Sequence, residues 1–312
     1  MGSSQFQLKL GRNQSAHLHA WTPAQAARGC VQIVHGMAEH GGRYARVGAA
    51  LAKAGYAVYA QDLPGHGRTV RSADELGHVD DFDGWKITLS AINQVRAEIE
   101  RRHPETPLFV LGHSRGSFLT QDYIVEHGHG LAGAILSASC ADMGPMRAVG
   151  LALLRGEALW MGRRQRSAVG DALVFKDFNR KFRPNRTPFD WLSRDEVEVD
   201  RYVQDPLCGF RCSTALWIEM MEAGALLTDA RRLARLPRSL SMLLINGSKD
   251  PACRGERGAR GLEKTYRNAG LSDVTLKLYP DARHELLNDT CRDTVTADVQ
   301  QWLDARCSSL RS

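Results

Sequence analysis

One stretch, LFVLGHSRGSFL at residues 108–119, constrains the fold more than any other part of the chain. It opens with four apolar residues in a row, which is typical of a strand buried on both faces of a sheet. From Ser117 onward, apolar residues recur at helical spacing. Ser114 therefore falls on a sharp turn between strand and helix, where Gly112 and Gly116 let the two elements cross closely. This G-x-S-x-G pattern predicts a nucleophilic serine if the chain also supplies a base, an acid and oxyanion donors.

Short apolar runs alternate with helical patterns along most of the chain. The alternation predicts an α/β fold with a mostly parallel, eight-stranded, doubly wound sheet flanked by helices, led by an antiparallel pair. Right-handed crossovers would place the loops that follow the parallel strands along one edge of the sheet. Predicted strands lie at 6–10, 17–21, 30–35, 56–62, 108–111, 131–138, 241–246 and 274–279, and predicted helices at 43–55, 85–103, 256–269 and 292–305, besides the helix after Ser114.

The segment 141–212 breaks this rhythm, because it is rich in Arg, Met, Trp and Pro and has no clear buried strand. An insertion after one sheet strand, above the loop-bearing edge, would be a cap or lid. We therefore predict a core of residues 1–140 and 213–312 with a cap at 141–212. The apolar helix predicted at 146–161 could contact lipid or pack on the core, and the sequence leaves both interpretations open.

The positive charge of the chain is concentrated in the same segment. The formal net charge is +6, and residues 147–186 hold ten Lys/Arg against three Asp/Glu. Because interleaved aromatic residues and a binding motif are lacking, we expect no nucleic-acid partner. A surface facing anionic lipid or an anionic substrate, and a plain solvated face, both remain open.

The seven cysteines are scattered, with no CxxC pair and no His-rich ligand spacing. We expect free thiols, a reducing cytoplasmic location and no structural zinc. Cys208 and Cys212 could lie one helical turn apart, and we expect them to pack rather than bind a metal. The N-terminal residues do not resemble a signal peptide, and the longest apolar run is too short to span a bilayer.

A candidate acid and a candidate base each follow a predicted strand. Asp250 comes directly after the strand at 241–246, and Pro251 favours a turn there. His284 comes directly after the strand at 274–279. Asp281 and Glu285 are too near His284 in sequence to orient its ring easily. The order Ser114, Asp250, His284 therefore supplies a nucleophile, an orienting acid and a base.

Two backbone N–H groups are candidates for the oxyanion site. One belongs to Arg115, directly after the serine, and the other to Met37, after the strand at 30–35. The His35-Gly36 pair ends that strand, and we expect the His35 side chain to support the loop. The tight loop at 62–67 is interpreted as structural support at the same edge rather than as a substrate contact.

The segments HGMAEHGGRY, DLPGHGR, GHSRGS, NGSKD and PDARHE stand in this order along the chain. In order and spacing they resemble serine hydrolases of the α/β-hydrolase fold, and more narrowly monoacylglycerol lipases and bacterial lysophospholipase-like enzymes. The likeness spans about residues 15–305, and residues 186–210 resemble the bacterial branch. It implies hydrolysis of a lipid ester with one acyl chain, a mobile cap that covers the acyl pocket, and no metal or organic cofactor. Catalysis by Ser114 would then pass through an acyl-enzyme. The arginines beside the apolar helix at 146–161 favour, in addition, a transient contact of the cap with membrane surfaces.

Two other interpretations stay open at this point. The same three residues could act on other substrates, as in a short-chain esterase, thioesterase, peptidase or acyltransferase. A different class is a non-catalytic ligand-binding protein that has kept the fold. The intact Ser, Asp and His set argues against this second class.

The chain departs from the resemblance at one position, because Arg115 stands where the family usually has methionine. A long cation beside the serine would need a carboxylate or water if buried. We expect Arg115 to be paired inside the protein, with Glu39 as one candidate, rather than to bind an anionic substrate. Cys253, three residues after Asp250, is expected near the mouth of the site as a modifiable thiol.

Overall fold

The computed structural model describes residues 2–11, 14–142, 144, 146–173 and 177–309. Its eight strands form one sheet in the order β1-β2-β4-β3-β5-β6-β7-β8. The strands β1 and β2 pair antiparallel, β2 joins β4 antiparallel, and the six strands β3–β8 are parallel. The predicted mostly parallel sheet with its antiparallel lead-in is confirmed. The strands are β1 (Gly2–Leu10), β2 (Gln14–Thr22), β3 (Gly29–Val34), β4 (Tyr56–Gln61), β5 (Leu108–His113), β6 (Gly133–Ser137), β7 (Ser241–Gly247) and β8 (Val274–Tyr279).

Helices connect the strands from β3 onward, and the predicted ones are found within a few residues of their expected bounds. The helix predicted at 146–161 has those bounds in the structure. The helices are α1 (Ala45–Lys53), α2 (Gly84–Arg102), α3 (Arg115–His127), α4 (Met146–Met161), α5 (Ala168–Asp171), α6 (Asp177–Arg180), α7 (Glu196–Gln204), α8 (Thr214–Leu226), α9 (Ala230–Leu233), α10 (Gly255–Asn268) and α11 (Arg292–Ser309).

The sheet is the middle of three layers. Helices α1 and α11 cover one face, where Leu51 and Val299 pack on strand residues such as Ile33. Helices α2, α3 and α10 cover the other face, where Leu119 and Leu262 lie in the core. Each fully buried aliphatic side chain of this kind contributes about 1.5–3 kcal/mol to folding. This packing explains why β3–β6 read as continuous apolar runs, and it fixes the strand ends that carry the site.

The connection from β6 to β7 holds helices α4–α9. Among the described residues of 141–212, no strand belongs to the sheet, and the only β contact is an isolated bridge between Arg166 and Ser213. The sequence did not predict α8, which is buried on nearly all sides and so lacks an amphipathic pattern. Cys208 and Cys212 are buried in apolar clusters, as packed residues are, but they do not lie one helical turn apart. Both lie in the loop between α7 and α8, where Gly209 has a φ of +66° that no helix accommodates.

Candidate active site

Ser114 sits on a strained turn between β5 and α3. Its φ of 53° and ψ of −123° are unusual for a residue with a side chain, and such strain persists only where the surroundings fix it. The Ser114 N–H donates to the Ser137 carbonyl at 3.0 Å. A Cβ atom at Gly116 would lie 2.1 Å from the Val34 carbonyl oxygen, and one at Gly112 would lie 2.3 Å from Thr120 Oγ1. Glycine is therefore required on both sides if the serine is to keep its position.

The three residues that the sequence singled out come together at the carboxyl edge of the sheet. Ser114 Oγ lies 2.9 Å from His284 Nε2, and His284 Nδ1 lies 2.9 and 3.0 Å from the two Asp250 oxygens. Because an ionised carboxylate only accepts, Nδ1 carries the proton and Nε2 has a lone pair facing the serine. The Ala252 N–H donates to Asp250 Oδ1 at 2.9 Å and holds the carboxylate in place. The arrangement can move a proton from Ser114 to His284.

The electrostatics of this group follow from burial and from one close charge. Burial alone would lower the pKa of His284, but the Asp250 carboxylate outweighs it and raises that pKa above its ordinary value. Burial alone would raise the pKa of Asp250, but the His284 ring and its hydrogen bond hold it below its ordinary value. His113 packs 5.0 Å from the His284 ring, and burial lowers the pKa of His113 to about 3, so that it stays neutral.

Neither competing carboxylate reaches the His284 ring. Asp281 is exposed to solvent. Glu285 accepts two hydrogen bonds of 2.6 Å from the Arg43 guanidinium. The same Arg43 donates to Glu39 at 2.8 Å. Arg43 therefore ties together two buried carboxylates beneath the site.

The loop that carries Met37 is braced by two side chains. The Gly36 N–H donates to Glu39 Oε1 at 2.6 Å. His35 Nδ1 contacts the Gly36 carbonyl at 2.8 Å, and the Leu63 N–H donates to His35 Nε2 at 2.9 Å. Burial lowers the pKa of His35 to about 3, so the ring is neutral and can accept at Nε2. These are the contacts that a loop-supporting histidine makes.

The loop at 62–67 also supports the segment 35–41, which carries Met37. Asp62 accepts from the Gly41 N–H at 2.8 Å, and from the Arg68 N–H at 2.7 Å. A Cβ atom at Gly67 would lie 2.2 Å from Asp62 Oδ2, so the close approach of this loop requires glycine. The residues of this loop are absent from the lining of the cavity at Ser114. The Asp62 side chain therefore holds the backbone at Gly41 and Arg68 in place, which is the contact expected of a supporting loop.

The expected pairing of Arg115 inside the protein is not found among the described residues, and Glu39, its candidate partner, does not contact it. Arg115 is 1% exposed, and its Nε and Nη1 atoms have no hydrogen-bond partner within the described part of the chain. Its guanidinium lies 5.6 Å from the centre of the Trp85 ring, and burial lowers its pKa. Glu39 is already occupied by Gly36, Arg43 and Tyr44. The nearby Glu219 accepts from the Gly84 N–H instead.

The expectation that Cys253 is a modifiable thiol is also wrong. The side chain is 1% exposed, and its Sγ donates to the Ala138 carbonyl at 2.8 Å. Burial raises its pKa well above the ordinary value, which removes the reactive thiolate. Cys253 lies at the wall of the site as a packed residue.

Ser114 opens onto a cavity of about 400 Å³, a size common for small-molecule sites. Met37 and Arg115 border the same cavity beside Ser114. Most of its wall is apolar, and the sequence pointed to few of these residues because several sit on α8, which has no amphipathic pattern. Apolar wall residues include Phe118, Leu153, Trp191, Trp217, Met220 and Met221. The charged side chains of the lining are those of Arg115, Arg147, Lys181, Arg254 and Asp177.

The fold and the strained serine turn define the class, a serine hydrolase of the α/β-hydrolase fold. The family model Hydrolase_4, described as serine aminopeptidase, S33, matches residues 25–291, and the chain belongs to this family. The chain is 28% identical to mouse monoglyceride lipase over 93% of its own length and 86% of the relative's. It is 27% identical to the monoacylglycerol lipase of Mycolicibacterium smegmatis over 91% of its own length and 90% of the relative's.

Solved structures show the same fold over 98% of the chain. A thermostable carboxyl esterase from Bacillus coagulans, crystallised with glycerol, superposes with a TM-score of 0.87 at 25% identity, covering 98% of this chain and 99% of the other. A soluble variant of monoglyceride lipase from Saccharomyces cerevisiae has a TM-score of 0.78 at 21% identity, covering 98% and 96%. The predicted resemblance to α/β-hydrolases of the monoacylglycerol lipase type is confirmed.

Proposed function

We propose that this enzyme hydrolyses carboxylic esters of lipids with one acyl chain, the class that includes monoacylglycerols and lysophospholipids. The observation that carries the proposal is the position of Ser114 Oγ. It lies 2.9 Å from His284 Nε2 and borders a largely apolar cavity of about 400 Å³. The serine supplies a nucleophile, and the cavity supplies room for a hydrocarbon chain. The monoglyceride lipase relatives favour the same substrate class.

In this mechanism Ser114, His284 and Asp250 act as the catalytic triad. His284 Nε2 takes the hydroxyl proton while Oγ attacks the ester carbonyl, and it then gives that proton to the leaving alcohol. The product is an acyl-enzyme on Ser114. Water attacks this ester with His284 again acting as base, and the fatty acid leaves. Asp250 holds the ring in the productive tautomer and stabilises its protonated form.

The Met37 and Arg115 N–H groups are assigned to the oxyanion site. Arg115 is the first residue of α3, so its N–H lies at the positive end of the helix dipole. Met37 lies on the loop that Glu39 and His35 brace. Preorganised donors of this kind stabilise the negative charge that develops on the carbonyl oxygen. The role of Arg115 in the oxyanion site uses its backbone and is independent of its unusual side chain.

We assign residues 141–212 to a cap over this site. Leu153 and Val149 on α4 line the cavity, while Leu154 on the same helix is buried against the core. The four cations of the lining outnumber its one carboxylate, Asp177, and this excess of positive charge disfavours a substrate with a protonated amino group. The cavity therefore suits an acyl ester better than the N-terminus of a peptide.

The C-terminal end of α4 has a composition that favours contact with a membrane surface. Leu159, Trp160 and Met161 are exposed, with Trp160 at 88%, and Arg163 and Arg164 come just after Gly162. Apolar side chains beside cations are the composition of interfacial helices. Among the described residues, no helix has both the length and the apolar character needed to cross a bilayer. All seven cysteines are free, which favours the cytoplasm, and we propose a peripheral encounter with membranes there.

The test is a hydrolysis panel, run with the wild type and with Ser114→Ala. It compares short-chain aryl esters, monoacylglycerols of increasing chain length, a lysophospholipid and an aminoacyl amide. We expect kcat/KM to rise with acyl length on the monoacylglycerols, with no turnover in the variant. Activity confined to short aryl esters or to the amide would contradict the proposal. A complete lack of turnover in the wild type would instead favour the non-catalytic binding protein.

A further inference from the structure

The cavity at Ser114 is lined by a cation that lacks a hydrogen-bonded carboxylate in the described structure. Arg115 borders this cavity and is 1% exposed, and its Nε and Nη1 atoms have no partner among the described residues. No Asp or Glu lies outside the described ranges, so the sequence holds no further acidic side chain for it. We propose that the Arg115 guanidinium binds the phosphate of an acidic lysophospholipid of the monoacylglycerol phosphate type. This inference rests on the proposed function and narrows its substrate class.

A buried charge without a partner is costly, so its presence beside the nucleophile needs a compensating interaction. Burial lowers the pKa of Arg115, but a guanidinium stays protonated at neutral pH. Glu219 acts on it only through space, because its carboxylate accepts from the Gly84 N–H at 2.7 Å. A bound phosphate would supply both the missing negative charge and the missing acceptors.

The Arg115 guanidinium is held in a way that leaves its donors available. It lies over the Trp85 ring, 5.6 Å from the ring centre. That ring is itself fixed, because Trp85 Nε1 donates to Asp122 Oδ2 at 2.8 Å. Contact with an aromatic ring uses the flat face of a guanidinium and leaves the N–H groups in its plane for other partners. Those groups match phosphate oxygens, which arginine binds in a bidentate fork.

The other charged residues of the lining also favour an anion. The Arg147 Nη1 group donates to a neutral acceptor, the Met221 carbonyl, so this bond leaves its charge uncompensated. The one carboxylate of the lining, Asp177, lies 3.9 Å from the Arg180 guanidinium. Charges of one sign in a cleft with apolar walls concentrate their field there and attract the opposite charge. The cations that line the cavity besides Arg115 are Arg147, Lys181 and Arg254.

The length of the Arg115 side chain suits a phosphate on the glycerol of the substrate. Arg115 directly follows Ser114, and an extended arginine side chain spans about five bonds, or roughly 6 Å. In a monoacylglycerol phosphate about six bonds, or roughly 7 Å, separate the ester carbonyl carbon from the phosphorus. An ester carbonyl at Ser114 and a phosphate at Arg115 are therefore compatible with one bound molecule. Methionine, which the family usually has at this position, could not make the contact.

The first experiment measures binding without turnover. Its probes are two esters of the same fatty acid, a 1-monoacylglycerol and the corresponding 1-monoacylglycerol 3-phosphate, used as monomers below their micelle concentrations. Isothermal titration calorimetry gives their Kd values for the full chain carrying Ser114→Ala. We expect the phosphate ester to bind at least about tenfold more tightly than the neutral ester. This preference should be lost when Arg115→Met is added, whereas Arg115→Lys, which keeps the charge, should retain part of it.

Arg257→Met in the same Ser114→Ala background is the matched control. Arg257 is exposed on α10, one turn after Arg254, and it is absent from the lining of the cavity. It should keep the full preference, which separates a direct contact from a change in net charge. Circular dichroism of each variant checks that it is folded.

The second experiment measures turnover with Ser114 intact. The ratio of kcat/KM for the phosphate ester to kcat/KM for the neutral ester should fall at least about tenfold in Arg115→Met and stay constant in Arg257→Met. The ratio cancels any change in the oxyanion site, because both esters present the same carbonyl group to it.

Three results would overturn the inference. The first is a phosphate ester that binds no more tightly than the neutral ester. The second is a preference that persists in folded Arg115→Met. The third is inorganic phosphate that binds as tightly as the phosphate ester, which would mean that the acyl chain takes no part. Hydrolysis of the neutral ester would survive each of these results, whereas selective binding of the phosphate ester without turnover would contradict the proposed function alone.

Discussion

Ser114 Oγ and His284 Nε2 lie 2.9 Å apart, although 170 positions separate the two residues in the chain. The distance is short because β5 and β8 belong to the parallel part of one sheet, where the carboxyl ends of the strands lie on the same edge. Ser114 directly follows β5, and His284 comes shortly after β8. The fold therefore places both side chains at one point. A ligand in the adjoining cavity meets a serine hydroxyl that already contacts the His284 ring.

Replacement of Asp250 by asparagine should lower kcat on the order of 10⁴-fold, because the His284 ring would lose its productive tautomer. Asp281→Asn is the matched control, since Asp281 is an exposed carboxylate three residues before His284 and should leave kcat unchanged. Steady-state kinetics with one ester at saturating concentration compare the kcat values of the two variants. Equal losses in both, or none in Asp250→Asn, would remove Asp250 from the mechanism.

The acid limb of the pH profile of kcat/KM should have its midpoint above 6.5. Asp250 raises the pKa of His284, so the ring stays protonated to a higher pH than an ordinary histidine. The protonated ring cannot take the Ser114 proton, and activity therefore rises as pH increases through the raised pKa. Initial rates at low substrate concentration measure this limb. A midpoint clearly below 6.5 would mean that burial outweighs Asp250.

Replacement of Arg43 by glutamine should lower the free energy of unfolding by about 3–5 kcal/mol at pH 7, because two buried carboxylates, Glu39 and Glu285, would lose their shared cation. Arg46→Gln is the control. Arg46 is partly exposed, and its pair with Glu198 should contribute about 1 kcal/mol or less. Urea unfolding of both variants gives the two values, and a loss no larger than the control's would contradict the account.

The ion pair between Arg43 and Glu285 also predicts how the free energy of unfolding changes as the pH falls. Burial alone would raise the pKa of Glu285, but Arg43 lowers it to about 2. A depressed pKa in the folded state contributes stability above the unfolded pKa of about 4.3, and this contribution is lost as pH falls towards 2. Urea unfolding from pH 5 down to pH 2 should show a steeper loss in the wild type than in Glu285→Gln. Parallel curves would rule out a contribution from Glu285.

Replacement of Arg115 by methionine should raise the free energy of unfolding by about 1–3 kcal/mol, since it removes a buried charge whose Nε and Nη1 atoms lack partners in the described structure. Arg232→Met is the contrasting control, because Arg232 is paired with Asp122 and its loss should destabilise. Denaturant unfolding measures the free energy of unfolding of both variants and of the wild type. A less stable Arg115→Met would show that the guanidinium is satisfied by a contact such as an internal water.

The double replacement Leu159→Ser, Trp160→Ser should weaken binding to vesicles of anionic phosphatidylglycerol at least about tenfold, because it removes two apolar side chains that reach solvent. Hydrolysis of a short water-soluble ester should not change. Val197→Ser on α7 is the control, since Val197 is also exposed but lies on another helix. Vesicle sedimentation separates the two, and an equal effect of the control would remove α4 from the membrane contact.

The order and placement of Ser114, Asp250 and His284 could be predicted because each follows a strand that reads as a local apolar pattern. The surroundings of Arg115 could not be predicted in this way. Glu39, its expected partner, is taken by Gly36, Arg43 and Tyr44, and only the folded loop brings these donors together. Helix α8, which supplies part of the cavity wall, was missed because a helix buried on all sides shows no periodicity.

The most direct test of the account is to trap the acyl-enzyme with a 4-nitrophenyl ester of a medium-chain fatty acid. Rapid mixing should release a burst of about one equivalent of nitrophenolate per enzyme if deacylation is the slower step. Quenching in acid and peptide mass spectrometry should then place the acyl group on Ser114, with neither burst nor adduct in Ser114→Ala. An acyl group on any other residue, or unchanged turnover in Ser114→Ala, would contradict the central claim.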